Sequence, residues 1–534
     1  MSILSIEQGP GAHRSGSGET TKSYTYISNT QPRSVETGLN PRGMTNLYQI
    51  LRENDLARPT EAPYGRRVNS VPCTVIEPLR AERVKIKTPE YTPQVDQIAY
   101  PIDARKYFTE TLEGEERIDL TRLEITATLD YVAESVTRFK VIPGESHQKL
   151  MRDKGLQTSE QVRDFLLSDT TGIHYNQAGD IALPYPYLAS NDGYFAGQLY
   201  YWDSADHLKM LLATPDPEQE KIELAKGTLE NFKYLFDRLG HIPNGSNKKV
   251  ESRSQPPLLT TMIMDTYHAM SRVGGETPET REWLREKIEF AKLEYWNVWN
   301  TPLDNERDMT DPVLPHNHTV AGTMLRTYGD TDVGYHPIAE CESGEDMNPR
   351  FEGRAHDFLA VDLNAKLALY EQHFAEEAKL RGDMEEVALW NDRRDRRTAE
   401  MIDKMWDEKT GWMYDYDYKN KRRSSVPALA GFFPVTAGIM PPEKVDRMTE
   451  NVGKFMQPFG LSLTTSEHPE EPELGRQWAY PNDFANRKRQ VVEGLTVNGK
   501  YEEAIGIMER SIIAYAEFYK KYGTLPEKIN AVTG

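Results

Sequence analysis

"EKIELAKGTLENFKYLFDRLG", residues 220–240, carries apolar side chains at Ile222, Ala225, Leu229, Phe232 and Phe236. Steps of three and four residues line one face of an α-helix, and Gly240 then predicts its C-terminal cap. The same period runs through "VDLNAKLALYEQHFAEEAKLRGD" (361–383) at Leu363, Leu367, Tyr370 and Phe374. It returns in "EEAIGIMERSIIAYAEFYKKYG" (502–523) at Ile505, Met508, Ile512, Tyr515 and Tyr519, the predicted buried face. Further helices are expected near 257–273, 278–298, 385–406, 443–456 and 481–497. Their connections alternate between short polar turns, such as "LRGDMEE" (380–386), and long aromatic ones, such as "TGWMYDYDYKNKRRSSVPALAGFFP" (410–434). Hairpins with one plain and one decorated end build either an open solenoid or a closed α/α toroid. No fixed repeat of the tetratricopeptide or HEAT kind is visible, which favours the all-α toroid.

Upstream the character differs. Residues 1 to about 105 are rich in Pro, Gly, Ser and Thr, and "RSGSGETTKS" (14–23) reads as a flexible tail. "VPCTVIEP" (71–78) and "RVKIKTPEY" (83–91) are candidate strands. The expected division is therefore 1–105, an irregular N-terminal extension or cap, and 106–534, the helical domain.

Composition narrows the function. The 534 residues are 38% apolar and include 8 Trp, 28 Tyr and 16 Phe, which suits a large core and rings stacked on sugars or bases. With 64 Lys plus Arg against 83 Asp plus Glu, the net charge of −19 opposes phosphate backbones and anionic lipid surfaces. No nucleic-acid or membrane partner is expected, and no apolar run approaches the ~20 residues that span a bilayer. The first residues lack the basic and apolar regions of a secretory signal. Cys73 and Cys341 are the only cysteines, too few for a disulfide framework or a four-thiolate zinc site. A cytoplasmic protein is the simplest reading; a mature secreted chain would look the same.

Four stretches carry candidate chemistry. In "DGYFAGQLYYWDSADHLKML" (192–211), Trp202 offers a flat apolar face beside the acceptor Asp203, matching a sugar ring's apolar face and hydroxylated edge. The same residues also suit a core helix with Asp203 as N-cap. In "GHIPNGSNKKVESRSQPPLL" (240–259), Pro243-Asn244-Gly245 is turn chemistry and Pro256-Pro257 opens a helix, with Arg253, Ser254 and Gln255 at its entrance. "ECESGEDMNPRF" (340–351) crowds Glu342, Glu345 and Asp346 around Ser343-Gly344. Mutual repulsion raises a carboxyl pKa, as an acid catalyst needs. The stretch lacks the alternating oxygen ligands of an EF-hand, so no metal and no cofactor are expected. "LGRQWAYPNDFANRKRQVVEGL" (474–495) places Gln477 and Trp478 before an amphipathic helix.

Taken in order, these stretches resemble the trehalase family of glycoside hydrolases, from about residue 185 to 530. "YYWDS" is similar to that family's first signature. "IPNGSNKKVESRSQPPLL" is similar to its Asn-Gly to Arg-Ser-Gln-Pro-Pro segment, including the nine-residue step from Asn244 to Arg253. "ESGEDMNPRF" resembles the Ser-Gly-x-Asp loop and "VDLNA" follows it. "QWAYPNDFA" with "VVEGL" resembles the second signature, and "LPEKIN" (525–530) the segment holding the base. The resemblance implies an (α/α)6 barrel and an inverting α-glycosidase acting on a small carbohydrate, α,α-trehalose by default. It implies Asp346 as acid and Glu527 as base, although Glu527 alone would pass for a solvated surface residue. It further implies Phe195, Trp202, Asp203, Asn244, Arg253, Gln255, Gly344, Gln477 and Trp478 as sugar-binding residues.

The sugar site departs from that pattern. Tyr194 replaces an arginine before Phe195, Glu345 stands where tryptophan is usual, and Ala479 replaces an aspartate. "RTYGDTDVGYHPIAE" (326–340) is a shortened arginine loop without its Arg-Pro pair. Each lost guanidinium removes a planar two-pronged donor to hydroxyls. The family pattern also continues past the base into a glycine-rich lid and a last helix, whereas Gly534 ends this sequence. The readings that stand beside trehalose hydrolysis are a related (α/α)6 hydrolase of another glucoside or mannoside, such as a sugar-glycerate solute, and a non-catalytic sugar-binding relative. A helical interaction scaffold is the plain alternative. Composition leaves the oligomeric state open.

Overall fold

The computed structural model describes residues 140–141, 144–190, 197–213, 217–301, 318–329, 340–346, 348–470 and 477–534. The candidate strands near 71–91, the boundary at 105 and Phe195 lie outside the described residues. Two short helices, α1 (Glu145–Lys154) and α2 (Ser159–Ser168), come first. Helices then alternate between an inner and an outer layer. The inner layer holds α3 (Tyr201–Leu211), α5 (Leu259–Gly274), α7 (Val361–Arg381), α9 (Phe433–Thr436) and α11 (Ala485–Val497). The outer layer holds α4 (Gln219–Leu239), α6 (Pro278–Glu294), α8 (Met384–Met405), α10 (Pro442–Val452) and α12 (Tyr501–Tyr522). This is the expected α/α toroid.

Local chemistry sets the helix ends. Gly240 caps α4 at φ 81°, where a side chain would be strained, and its N–H reaches Phe236 O. Thr277 and Thr280 form a reciprocal cap that spans Pro278, the first residue of α6. Asp383 accepts the Glu386 N–H at 3.0 Å and opens α8. Burial distinguishes α7 from its outer neighbour α8. α7 is buried on nearly every side, as an inner helix must be, whereas α8 buries a stripe through Trp390, Arg397, Met401 and Met405.

Four expectations need correction. The helix near 257 begins at Leu259, just after Pro256 and Pro257, since a residue that precedes proline is disfavoured in helical backbone. The helix near 278–298 is α-helical to Glu294 and then widens into a π-turn, Tyr295–Trp299. The one near 481 begins only at Ala485, since Asn482–Phe484 pairs antiparallel with Lys528–Asn530. In α12 the buried line is Ala504, Ile507, Ser511 and Ala514, one residue away from the predicted line, and Met508 is 47% exposed. α12 packs on α11, and the residues it buries include the small Ala504, Ser511, Ala514 and Ala516.

The inner helices are locked together by buried polar groups. Tyr201 and Tyr370 hydroxyls donate to the two oxygens of Glu294, each at 2.8 Å, and the Leu259 N–H reaches both hydroxyls. One cluster thus ties α3, α5, α6 and α7. Burial raises the Glu294 carboxyl to about 7, so near neutrality it is poised between charged and neutral forms. Between α3 and α11, ion pairs join long side chains, Asp206 to Arg489 and Lys209 to Glu493 at 2.8 Å. The N-termini of α3, α5, α7 and α11 consequently meet at one end of the ring, and the long loops gather there.

Candidate active site

Trp202 is the meeting point. It lies in the first turn of α3, and its N–H donates to Gln255 Oε1 at 2.9 Å. Gly344 lies on its indole: a Cβ there would come within 2.8 Å of Cζ2, and φ is 72°. Trp478 tilts against Trp202 at 5.6 Å between ring centroids and stacks flat on Phe484 at 3.6 Å. Asn244 knits the second loop, its N–H donating to Arg253 O at 2.6 Å and its carbonyl accepting from Tyr201 N–H at 3.1 Å. Asn244 Nδ2 also reaches Ser254 O at 3.3 Å. Gln477 is half-buried beside Trp478, its carbonyl accepting from Asn482 Nδ2 at 2.8 Å. Asp203 is the third residue of α3; the cap position belongs to Tyr200, whose backbone is extended.

Three carboxyls share this end of the barrel. Burial pushes Asp346 up to about 6; the Arg253 cation opposes that rise and the Glu527 charge adds to it. Burial likewise pushes Asp203 up to about 7, helped by Asp206 and Glu527. Glu527 stands just before the strand Lys528–Asn530, which pairs with Asn482–Phe484 directly after the Trp478 loop. It is solvent-accessible, yet the protein around it raises its carboxyl, with Lys528 acting in the opposite sense. Arg253 and Glu527 thus both act on Asp346, and Glu527 acts on Asp203 as well.

Glu342 and Glu345, expected to keep Asp346 protonated, are engaged elsewhere. Glu342 is fully buried, meets His318 Nε2 at 2.8 Å and accepts the Gly329 N–H at 2.7 Å. Glu345 pairs with Arg487, lies 3.1 Å from Arg350 Nε and accepts from Asn348 Nδ2 at 3.0 Å. Their charges are met by cations and donors, so burial and Glu527 raise Asp346 instead. Arg326, from the shortened loop, is committed to structure: its Nε donates to Trp299 O at 3.0 Å and Nη1 to Leu325 O at 3.1 Å.

The Trehalase family model matches residues 145–337 and 324–534. The chain belongs to the trehalase family. This trehalase-family chain is 29% identical over 390 residues to the cytosolic neutral trehalase of Kluyveromyces lactis, covering 63% of this chain and 50% of that protein. It is 26% identical over 433 residues to the cytosolic neutral trehalase of Saccharomyces cerevisiae, covering 71% and 56%. With the periplasmic trehalase of Pseudomonas aeruginosa the identity is 27% over 389 residues, covering 66% and 68%. The chain spans about half the length of the fungal relatives it matches. Neutral trehalase Nth1 from Saccharomyces cerevisiae superposes with a TM-score of 0.58 at 22% identity, covering 74% of this chain and 82% of that one. The fold is thus the (α/α)6 barrel of that family, as the resemblance implied.

Of the residues singled out in the sequence of this trehalase-family chain, Gln255, Gly344 and Trp478 touch Trp202, and Arg253 and Glu527 act on the Asp346 carboxyl. Sequence reading missed Arg487, Arg350 and His318, which hold the acidic turn. One signal was legible. Arg487, Lys488 and Arg489 crowd the first turn of α11, where the helix dipole disfavours cations, so each needs an acidic partner. They find Glu345, Asp483 and Asp206 respectively. Among the described residues, no group of three or more His, Cys, Asp or Glu side chains is arranged to hold a metal ion.

Proposed function

We propose that this chain hydrolyses a small α-glycoside by single displacement with inversion, with α,α-trehalose as the first candidate. The observation that carries this reading is the state of the Asp346 carboxyl, pushed up to about 6 by burial and by the Glu527 charge while the Arg253 cation opposes the rise. The relatives' trehalase names add to it. Asp346, raised toward neutrality, gives its proton to the leaving glycosidic oxygen. Glu527 takes a proton from the water that attacks the opposite face of the anomeric carbon, and the proton balance closes in solution as Asp346 is reprotonated. In an inverting site the two carboxyl groups stand roughly 6.5–9.5 Å apart, leaving room for that water. Trp202 and Trp478 offer flat apolar faces to the sugar, Arg253 and Gln255 the polar edge, and Phe195 and Asn244 belong to the same set. Gly344 lets the backbone approach it. The reading places the protein in the cytoplasm, acting on a small carbohydrate.

A second reading, an (α/α)6 hydrolase of a different glucoside or mannoside, is favoured by the committed Arg326 and by Ala479, which is fully buried. Both remove charge from the expected trehalose grip. The experiment is a panel of α,α-trehalose, maltose, sucrose and glucosyl- and mannosylglycerate with the product anomer resolved by NMR at early times. Release of the β-anomer from an α-glycoside supports the proposal, and the best substrate chooses between the readings. Retention of configuration, or no turnover on any member, rejects it.

A further inference from the structure

The turn that bears Asp346 is fastened by charges buried far from water. Glu345 Oε1 pairs with Arg487 Nε, and its Oε2 lies 3.1 Å from Arg350 Nε. Arg487 continues to Asp362 Oδ2 at 3.0 Å and Gln490 Oε1 at 3.0 Å. Arg350 continues to Asp362 Oδ1 at 2.9 Å and Asp415 Oδ1 at 3.2 Å, and Lys366 closes the set on Asp362 at 2.7 Å. Three cations face three carboxylates, all at most 3% exposed at the side chain. The Arg487 guanidinium also lies 5.2 Å from the Trp202 ring, the surface that Gly344 rests on. The turn is thus held from two sides, by the indole against Gly344 and by Arg487 on Glu345.

Burying so much charge is costly, and apolar side chains of similar volume often stabilise a core as well or better. Such a network therefore suggests a geometric role. A guanidinium held by three side-chain acceptors has a fixed plane, and Arg487 is the third residue of α11, which belongs to the barrel wall.

We infer that Arg487, acting through Glu345, is a positioning residue for Asp346: it sets the acid's turn against Trp202 so that Asp346 faces Glu527. The inference rests on the proposed reaction. In Arg487→Met the turn loses its tie to α11 and the acid shifts. A displacement near 1 Å costs on the order of a hundredfold in a positioned step. We expect that loss in kcat on α,α-trehalose, or on the panel's best ordinary glycoside, with KM little changed. The glycosyl fluoride of the same sugar, whose leaving group needs little protonation, should lose far less.

A merely structural role makes a different forecast. Adding Glu345→Gln to Arg487→Met removes the carboxylate charge that lost one of its two cations and should restore the melting temperature. If Arg487 positions the acid, the disparity between glycoside and fluoride persists in that double variant; Arg487→Lys should fall between wild type and Arg487→Met. Equal losses on both substrates, or full recovery of kcat in the double variant, overturns the inference. If the unaltered protein turns over nothing, the proposed function fails. The inference is then judged by the crystal structure of the double variant: displacement of residues 344–346 from Trp202 supports it, and an unmoved turn overturns it.

Discussion

Gly344 rests on the Trp202 indole so closely that a single added methyl group has no place: its Cβ would stand 2.8–2.9 Å from three ring atoms. The contact joins the acid's turn to the start of α3, 142 residues away. Neither partner yields readily, since φ at Gly344 is 72° and the indole is held by Trp478 and by its backbone bond to Gln255. Gly344→Ala should therefore cost about 1–2 kcal/mol in left-handed strain alone, and more from the clash. It should also displace Asp346. Thermal denaturation and kcat measured together check this; an Ala variant with wild-type activity would mean that the turn is looser than described.

Asp346→Asn should lower kcat on ordinary glycosides by roughly 10²–10⁴, the usual worth of a positioned acid. The glycosyl fluoride should be cleaved nearly as well as before. Stability should move the opposite way. The folded carboxyl, raised to about 6, lies above its unfolded value of 3.8, so the native state binds the extra proton between those values. Ionising Asp346 thus destabilises the fold above about pH 6, and the penalty fades as pH falls toward 4. The Asn variant should be the more stable protein at pH 7.5, by at most about 3 kcal/mol, with no advantage near pH 4. Denaturant melts at the two pH values read this directly.

Glu527→Gln should be inactive on glycosides and fluoride alike, since both reactions need an activated water. Azide, a nucleophile that requires no base, should restore product as the β-glycosyl azide. Because the Glu527 carboxyl is raised by its surroundings, the acidic limb of kcat/KM should lie above the ordinary glutamate range and vanish with this residue. A Gln variant that keeps hydrolysing would remove Glu527 from the site.

Arg253 is buried, 7% exposed, and its charge acts on Asp346. A charge-assisted hydrogen bond to a sugar hydroxyl contributes about 1.5–3 kcal/mol, so Arg253→Ala should reduce kcat/KM about ten- to a hundredfold. Removing the cation should also raise the Asp346 pKa, moving the alkaline limb of the pH profile upward. An unchanged limb would place Arg253 outside the acid's environment.

Trehalose should be a modest substrate, because Tyr194 and Ala479 replace charged residues of the family pattern. Restoring them as Tyr194→Arg with Ala479→Asp should improve kcat/KM for trehalose relative to the rest of the panel. Position 479 is fully buried, so the new carboxylate needs its arginine partner, and Ala479→Asp alone should lower the melting temperature. An unaltered protein that prefers trehalose over every other glycoside would contradict this.

The sequence by itself determined the local order of the fold. The three- and four-residue steps in α4 and α7 and the Gly240 cap depend on neighbours along the chain, and all were found where the pattern put them. Ordered motifs likewise singled out Gln255, Gly344 and Trp478, which touch Trp202. Tertiary structure alone decided what one stretch presents to another. In α12 both stripes could serve as a buried face, and close packing on α11 chose the one with alanine and serine. Around the acid, three neighbouring carboxylates looked like one repelling cluster. Folding brought Arg487 to Glu345 from 142 positions away and His318 to Glu342 from 24, leaving Asp346 to be tuned by burial and by Glu527. Charge pairing acts through space at a few ångströms, and chain order alone does not encode which distant cation closes that distance.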